Sequence, residues 1–175
     1  MKFLFSAIIL ILLQGCTQKQ QPIKITSMEN KEAKNNPYYS RTDTTKLNIP
    51  NSEWKKILAP DLYAISREAA TERAFTGKYN DFDEVGDYYC AVCGNHLFRS
   101  TSKFVSSCGW PSFFEADKEG VYYTRDQSHG MERVEVLCKR CDSHLGHVFD
   151  DGPKPTGLRY CMNSISLEFV PDLQK

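Results

Sequence analysis

The sequence has no net charge to offer a polyanion, since 22 Lys and Arg balance 22 Asp and Glu in 175 residues. Nucleic-acid binding by counterion release needs a basic excess, so the charge balance opposes that class of function at the outset. The chain also lacks an apolar run that could cross a bilayer as a helix. Its longest, Phe3–Leu13, falls well short of the roughly 20 residues required. No internal repeat occurs beyond two copies of Cys-x-x-Cys, and no long helix pattern follows residue 65. Cysteine, at 7 residues, is too sparse for a small scaffold held together by disulfides. What is present suffices for one folded domain: 41% of residues are hydrophobic, and 10 Phe, 9 Tyr and 2 Trp supply large side chains for a core.

The N-terminus reads as an address. Met1 and Lys2 precede the apolar run, in the order of an export signal, and the run ends in Leu13-Gln14-Gly15-Cys16. This ending resembles the bacterial lipoprotein processing site. Residues 1–15 are therefore expected to be a signal peptide, and Cys16 the lipid-modified start of an extracytoplasmic, membrane-anchored chain in a bacterium. The alternative is an ordinary signal peptide in which Cys16 is a passenger. Residues 16–50 are rich in Gln, Lys, Asn, Thr and Ser without a sustained period, and read as a flexible tether with an r.m.s. span of roughly 30 Å. Against this, Tyr38, Tyr39, Leu47 and Ile49 could pack on the domain as an N-terminal arm.

The domain is expected over residues 51–172. Ser52 is a candidate N-cap for a short helix through Ile57, and Asp61 for a second after Pro60. From Gly86 onward, short runs rich in Tyr, Val and Phe are broken by Gly, Pro, Asp and Asn. They span Asp87–Cys90, His96–Phe98, Val121–Arg125, Arg133–Leu137, Gly146–Phe149, Leu158–Met162 and Ile165–Val170. The connections are too short for parallel crossovers, which predicts antiparallel sheets with short N-terminal helices, a mainly β (α+β) domain.

Cys90 with Cys93, and Cys138 with Cys141, each follow a strand-like run and lead into a turn. Two facing knuckles of this kind supply the four thiolates of a tetrahedral zinc site. The stretch between them exceeds the usual ribbon spacing of about 15 to 20 residues, so a substantial piece of fold must lie between the knuckles. The rival readings in an exported chain are disulfides or a redox-active dithiol. A second copy of the motif favours zinc, one ion per chain, and four protein ligands leave it a structural role.

Cys108 and Cys161 remain. Cys108 sits in Ser107-Cys108-Gly109-Trp110-Pro111-Ser112-Phe113, an aromatic loop stiffened by Gly and Pro. If Gly157–Ser164 contains a strand, its period of two puts Arg159, Cys161 and Asn163 on one face, where a cation would lower the thiol's pKa. The two cysteines could equally form a structural disulfide. His144 and His147 directly follow the second knuckle, which would place an imidazole rigidly for proton transfer.

Several long motifs occur in order: Thr71–Gly77, the Cys90 and Cys93 pair, Cys108–Phe113, the Cys138 and Cys141 pair, His144–Phe149, and Gly157–Ser164. Together they resemble the B-type peptide methionine sulfoxide reductases, with coverage from about Ser52 to Val170. The resemblance implies two antiparallel sheets, a structural zinc, and thiol-dependent reduction of methionine R-sulfoxide within oxidised proteins. It implies Cys161 as nucleophile, Cys108 as the resolving cysteine, Trp110 as the wall for the substrate methyl, and His144, His147, Arg159 and Asn163 as site residues. Elementary chemistry agrees: a sulfoxide oxygen leaves only when protonated, and a thiolate is the nucleophile for its sulfur, so a cysteine is needed beside a proton donor. The sulfenic acid left on Cys161 would condense with Cys108, and a thioredoxin-like dithiol would reduce the disulfide. The competing readings are a zinc-stabilised binding module with a permanent Cys108–Cys161 disulfide, and a zinc-ribbon nucleic-acid binder, which the charge balance opposes.

Overall fold

A computed structural model describes residues 36–172. The signal peptide expected over 1–15, Cys16 and the first part of the expected tether lie outside these residues. Two short helices come first, α1 (Asn51–Ile57) and α2 (Pro60–Glu68). Neither expected cap holds. The N-caps are Pro50 and Ala59, without side-chain cap bonds. Pro60 pre-sets the first helical turn of α2, starting it ahead of Asp61, which instead sits in the first turn where a carboxylate favours the helix dipole.

Among the described residues nine strands follow: β1 (Gly86–Cys90), β2 (His96–Arg99), β3 (Lys103–Phe104), β4 (Ser112–Phe113), β5 (Val121–Asp126), β6 (Arg133–Cys138), β7 (His144–Phe149), β8 (Arg159–Met162) and β9 (Leu167–Pro171). They form two antiparallel sheets, ordered β2-β1-β9 and β3-β4-β8-β7-β6-β5. All seven expected strands occur, with shifted ends. The last begins later than expected because Ser164–Ser166 form a 3-10 turn first. β3 and β4, two residues each, are too short to show a period and were not expected.

The sheets meet through aromatic side chains. Phe98 of the small sheet stacks on Phe113 of the large one at 4.4 Å between ring centroids, and Tyr88 meets the same ring edge-on at 5.0 Å. Along β8, Tyr160 and Met162 point into this core while Arg159 and Cys161 face the other way. Burying one face of a strand thus presents the opposite residues to whatever forms there.

The tether reading needs correction for residues 36–50, which pack on the domain as an arm. Tyr38 lies edge-on to the fully buried Trp54 at 5.3 Å, and Leu47 and Ile49 pack against the core. Asn36 Nδ2 donates to Val92 O at 2.7 Å, and Ser40 N to Cys93 O at 3.0 Å. Arg140, 3% exposed, donates to the carbonyls of Cys93, Tyr38, Ser40 and Thr45. Polar composition suggested a solvated segment, but here the arm's backbone carbonyls find their partner in one buried guanidinium.

Candidate functional site

The two Cys-x-x-Cys turns are built alike. In the first, Gly94 N donates to Cys90 O and Cys90 N to Asn95 O, both at 2.8 Å; in the second, Asp142 N donates to Cys138 O and Cys138 N to Ser143 O, both at 2.9 Å. The residue after each second cysteine is left-handed, Gly94 with φ +78° and Asp142 with φ +59°. The Asp142 side chain, which tolerates that conformation, accepts from Tyr122 Oη at 2.7 Å. All four sulfurs lie within 4.8 Å of one another, buried. Cys90 to Cys141 is 3.7 Å and Cys93 to Cys138 is 3.6 Å. Four thiolates at about 2.3 Å from a common centre stand about 3.8 Å apart, so the donor set fits a tetrahedral metal of zinc's size.

The other two cysteines meet elsewhere. Cys108 Sγ and Cys161 Sγ are 3.5 Å apart, and both residues are partly exposed. Register explains the neighbourhood of Cys161: it is opposite Ser112 on β4 and opposite His147 on β7, while His147 is opposite Glu135 on β6. These residues form a row on one face of the sheet. A bulge between Val136 and Leu137 breaks the alternation, so His144 joins His147 on that face, with ring centroids 5.4 Å apart. Gly146 is required between them, because a Cβ there would lie 2.1 Å from the Cys161 carbonyl oxygen.

Beside Cys161 is a cavity of about 100 Å³ lined by Thr71, Trp110, Arg133, Gly146, His147, Phe149, Cys161 and Asn163. Four of the expected residues therefore share one pocket: Cys161, His147, Trp110 and Asn163. Cys108 lies beside Cys161 but outside the lining. Arg159 does not line the pocket either. Its guanidinium forks onto Asp151 at 2.8 Å and covers the Phe149 ring at 4.4 Å. His144, 3% exposed, is bonded through Nδ1 to Glu135 at 2.6 Å. Asn163 lies just past β8, its side-chain oxygen accepting from Glu72 N at 3.0 Å and its Nδ2 donating to Leu145 O at 3.1 Å.

The electrostatics of the thiol pair differ from the expectation. Burial, and then Cys108, push the Cys161 thiol up to about 12, while Arg159 pulls it the other way. Burial also opposes ionisation of Cys108, but hydrogen bonding from Ser106, Ser112, the Trp110 backbone and Cys161 outweighs it and brings Cys108 down to about 7. The cation acts in the predicted direction and is outweighed by burial first, and then by a second thiol that the strand pattern could not place. His147 is held below its ordinary value, by burial first and by Arg133 and His144, with Asp126 opposing.

Sequence reasoning gave no role to three polar residues. Asp126 accepts from His147 Nε2 at 2.8 Å and from Arg133 Nη2 at 2.6 Å. Glu72 accepts from Ser164 N at 2.6 Å and Ile165 N at 3.1 Å, and its carbonyl accepts from Trp110 Nε1 at 3.1 Å. Glu72 stood inside the quoted Thr71–Gly77 motif, which was a usable signal. Asp126 and Arg133 end and begin neighbouring strands, and nothing in a linear pattern pairs them with His147.

Residues 58–171 match the family described as the SelR domain. A peptide methionine sulfoxide reductase MsrB of Thiobacillus denitrificans is 57% identical over 122 residues, covering 69% of this chain and 92% of the relative. Proteins of the same description from Pseudomonas savastanoi pv. phaseolicola and Leptospira interrogans are 56% and 53% identical, covering 72% and 70% of this chain and 97% and 95% of those proteins.

Proposed function

The chain belongs to the SelR-domain family of MsrB peptide methionine sulfoxide reductases, and from that premise we propose that this oxidoreductase returns methionine R-sulfoxide in proteins to methionine, with Cys161 as nucleophile. One observation carries the residue assignment: Cys161 shares a small pocket with Trp110, His147 and Asn163, and a second thiol stands 3.5 Å behind it. The indole gives the methyl group an apolar wall. Access selects the nucleophile: Cys161 lines the pocket and Cys108 does not, so the pair's shared proton must sit on Cys108 or be taken by His147 when Cys161 attacks.

The Cys161 thiolate attacks the sulfoxide sulfur while a proton reaches the sulfoxide oxygen. That oxygen ends on Cys161 as a sulfenic acid, so the cysteine sulfur loses two electrons and the substrate sulfur gains them, leaving methionine. Cys108 then attacks Cys161, water leaves, and a disulfide forms. The sulfurs must close from 3.5 Å to about 2.05 Å, a small movement for a loop residue. A thioredoxin-like dithiol would take the disulfide back to two thiols by exchange. His144, Arg159 and Asn163 support the site by holding strands and loops around the pocket.

Cys90, Cys93, Cys138 and Cys141 would hold one zinc ion, which supplies folding energy with no open coordination position. The export pattern ending in Cys16 supports a lipid-anchored enzyme outside the cytoplasm of a bacterium. Among the described residues no helix is long and apolar enough to cross a membrane. Loss of membrane association on Cys16→Ser would agree with the anchor, and retention with normal signal cleavage would refute it. The decisive assay for the activity is thiol-dependent consumption of separate R and S methionine sulfoxide peptides. Consumption of the R epimer alone is expected, and no turnover of either would return the chain to a binding role.

A further inference from the structure

Cys161 and His147 are directly opposite each other on β8 and β7, a relation that puts Cβ atoms roughly 4.5 to 5.5 Å apart, and both line the pocket. The Nε2 of His147 is taken: it lies 2.8 Å from Asp126 Oδ2. The same oxygen accepts from Arg133 Nη2 at 2.6 Å, and the other carboxylate oxygen accepts from Ser128 N at 2.8 Å. Asp126 and Arg133 are themselves opposite each other across β5 and β6, so three adjacent strands fix this arrangement. A carboxylate accepting three hydrogen bonds has no proton to give, so the hydrogen between it and His147 belongs to His147 Nε2. The ring's other nitrogen, Nδ1, is then the lone-pair position of the neutral imidazole.

We infer that Asp126, pinned by Arg133 and Ser128, is the positioning residue of a Cys161–His147–Asp126 triad in which Asp126 fixes His147 as the Nε2–H tautomer and leaves Nδ1 to carry the proton between Cys161 and the sulfoxide oxygen. The inference rests on the reductase reading and adds the route of the proton. Nδ1 takes the thiol proton of Cys161, producing the attacking thiolate and an imidazolium that Asp126 stabilises. The imidazolium returns that proton to the sulfoxide oxygen as it moves to Cys161. No proton is gained or lost from outside: the thiol hydrogen ends in the sulfenic acid. A nucleophile, a base and an orienting carboxylate in sequence are the general device for activating a weak nucleophile. Arg133 has a second effect, since it keeps the negative charge of Asp126 from making His147 a permanent cation, which would be unable to accept a proton.

Charged and titratable groups face His147 from each element packed on it: Asp126 on β5, Arg133 and Glu135 on β6, His144 on its own strand, and Cys161 on β8. The test uses the full chain. In wild type, long-range proton–nitrogen NMR at pH 7 should find His147 as the Nε2–H tautomer; the Nδ1–H tautomer would overturn the triad. Single-turnover reduction of an R-sulfoxide peptide by Asp126→Asn should be slower by about 100-fold at pH 7, the low end of what a positioned proton carrier contributes. KM should stay within about twofold, the pH profile should lose the His147 limb, and Asp126→Glu should recover part of the rate. A wild-type rate and profile in Asp126→Asn, or a change confined to KM, would overturn the role given to Asp126. If wild type itself reduces neither epimer, the reductase reading fails, and the NMR tautomer still decides the geometry on its own. If Asp126→Asn does not fold, the tautomer and the rate of Asp126→Glu remain as the deciding measurements.

Discussion

Six described cysteines divide into two sets that the same fold treats in opposite ways. Cys90, Cys93, Cys138 and Cys141 are at most 2% exposed, sit at the ends of strands in paired turns, and have sulfurs spaced for a tetrahedral ion. Cys108 and Cys161 are partly exposed, one in a loop and one within a strand, with sulfurs at 3.5 Å and no third or fourth sulfur beside them. The difference lies in what surrounds the thiol rather than in the thiol. Burial with three other sulfurs makes a cation the cheapest way to satisfy four charges, whereas a pair beside a pocket keeps one proton between two sulfurs and leaves a nucleophile within reach of substrate.

The largest effect should come from breaking the buried set. Cys138→Ser, or chelation, should remove the metal and the fold together, because zinc binding in small domains is worth roughly 10 to 16 kcal/mol while a whole domain is stable by only about 5 to 15. Circular dichroism and metal analysis of the purified variant check this. A folded, metal-free Cys138→Ser domain would erase the distinction between the two sets.

Next comes the pair beside the pocket, where fold and activity should separate. Cys161→Ser should melt within a few degrees of wild type and give no product even in one turnover, since the attacking sulfur is gone. Cys108→Ser should complete one turnover and accumulate sulfenic acid on Cys161, detectable by dimedone labelling, while donor-supported turnover stops. Equal loss of the first turnover in both variants would show that the two thiols are not divided by role.

A smaller effect concerns ionisation. In wild type the first thiol to react with iodoacetamide as pH rises through about 7 should be Cys108, the one that local hydrogen bonds bring down. The sign for Cys161 follows from its causes. Burial and Cys108 both raise it, so Cys108→Ser removes one of the two and Cys161 should titrate below 12, lower by about one to three pH units. Thiolate absorbance at 240 nm across pH would measure it, and an unmoved Cys161 would mean that burial alone sets its proton affinity.

How much of this was legible in the chain depends on whether contacts were local. The knuckles were readable because Cys-x-x-Cys followed by a turn residue encodes its own geometry, and the seven longer strands because runs rich in Tyr, Val and Phe are bounded by Gly, Pro, Asp and Asn. Cys161 and Arg159 sharing a face was readable because the period of a strand is two. The pairing of Asp126 with His147 was not, because it depends on strand order and register across three strands, which no linear spacing records. His144 on the face of His147 needed a bulge, and β3 and β4 needed partners, so neither could appear before the sheet was assembled. The arm was misread for a related reason: its composition is that of solvated chain, and its ordering depends on Arg140, roughly a hundred residues away in sequence.

That arm supplies the smallest expected effect and the sharpest separation of the two cysteine sets. Arg140 follows Cys138 and precedes Cys141 directly, and its guanidinium joins the first knuckle's Cys93 carbonyl to those of Tyr38, Ser40 and Thr45. Leu47 N closes the contact on the Arg140 carbonyl at 2.7 Å. Every one of these bonds lies on the side of the four clustered sulfurs, and Arg140 does not line the pocket of Cys161. Arg140→Met keeps the apolar stem and removes the donors; the part-buried arm carbonyls can turn to water, so the loss is that of the one buried bond to Cys93, about 1 to 3 kcal/mol. Urea unfolding should register that loss, and hydrogen exchange should quicken at Ser40 and Leu47 first. Single-turnover reduction should remain within about twofold of wild type, because the sheet row from Ser112 through Cys161 to His147 is untouched. A Cys161 reaction that slowed in step with the lost stability would mean that the metal side and the redox side are coupled through the core, and that the two cysteine sets share more than a chain.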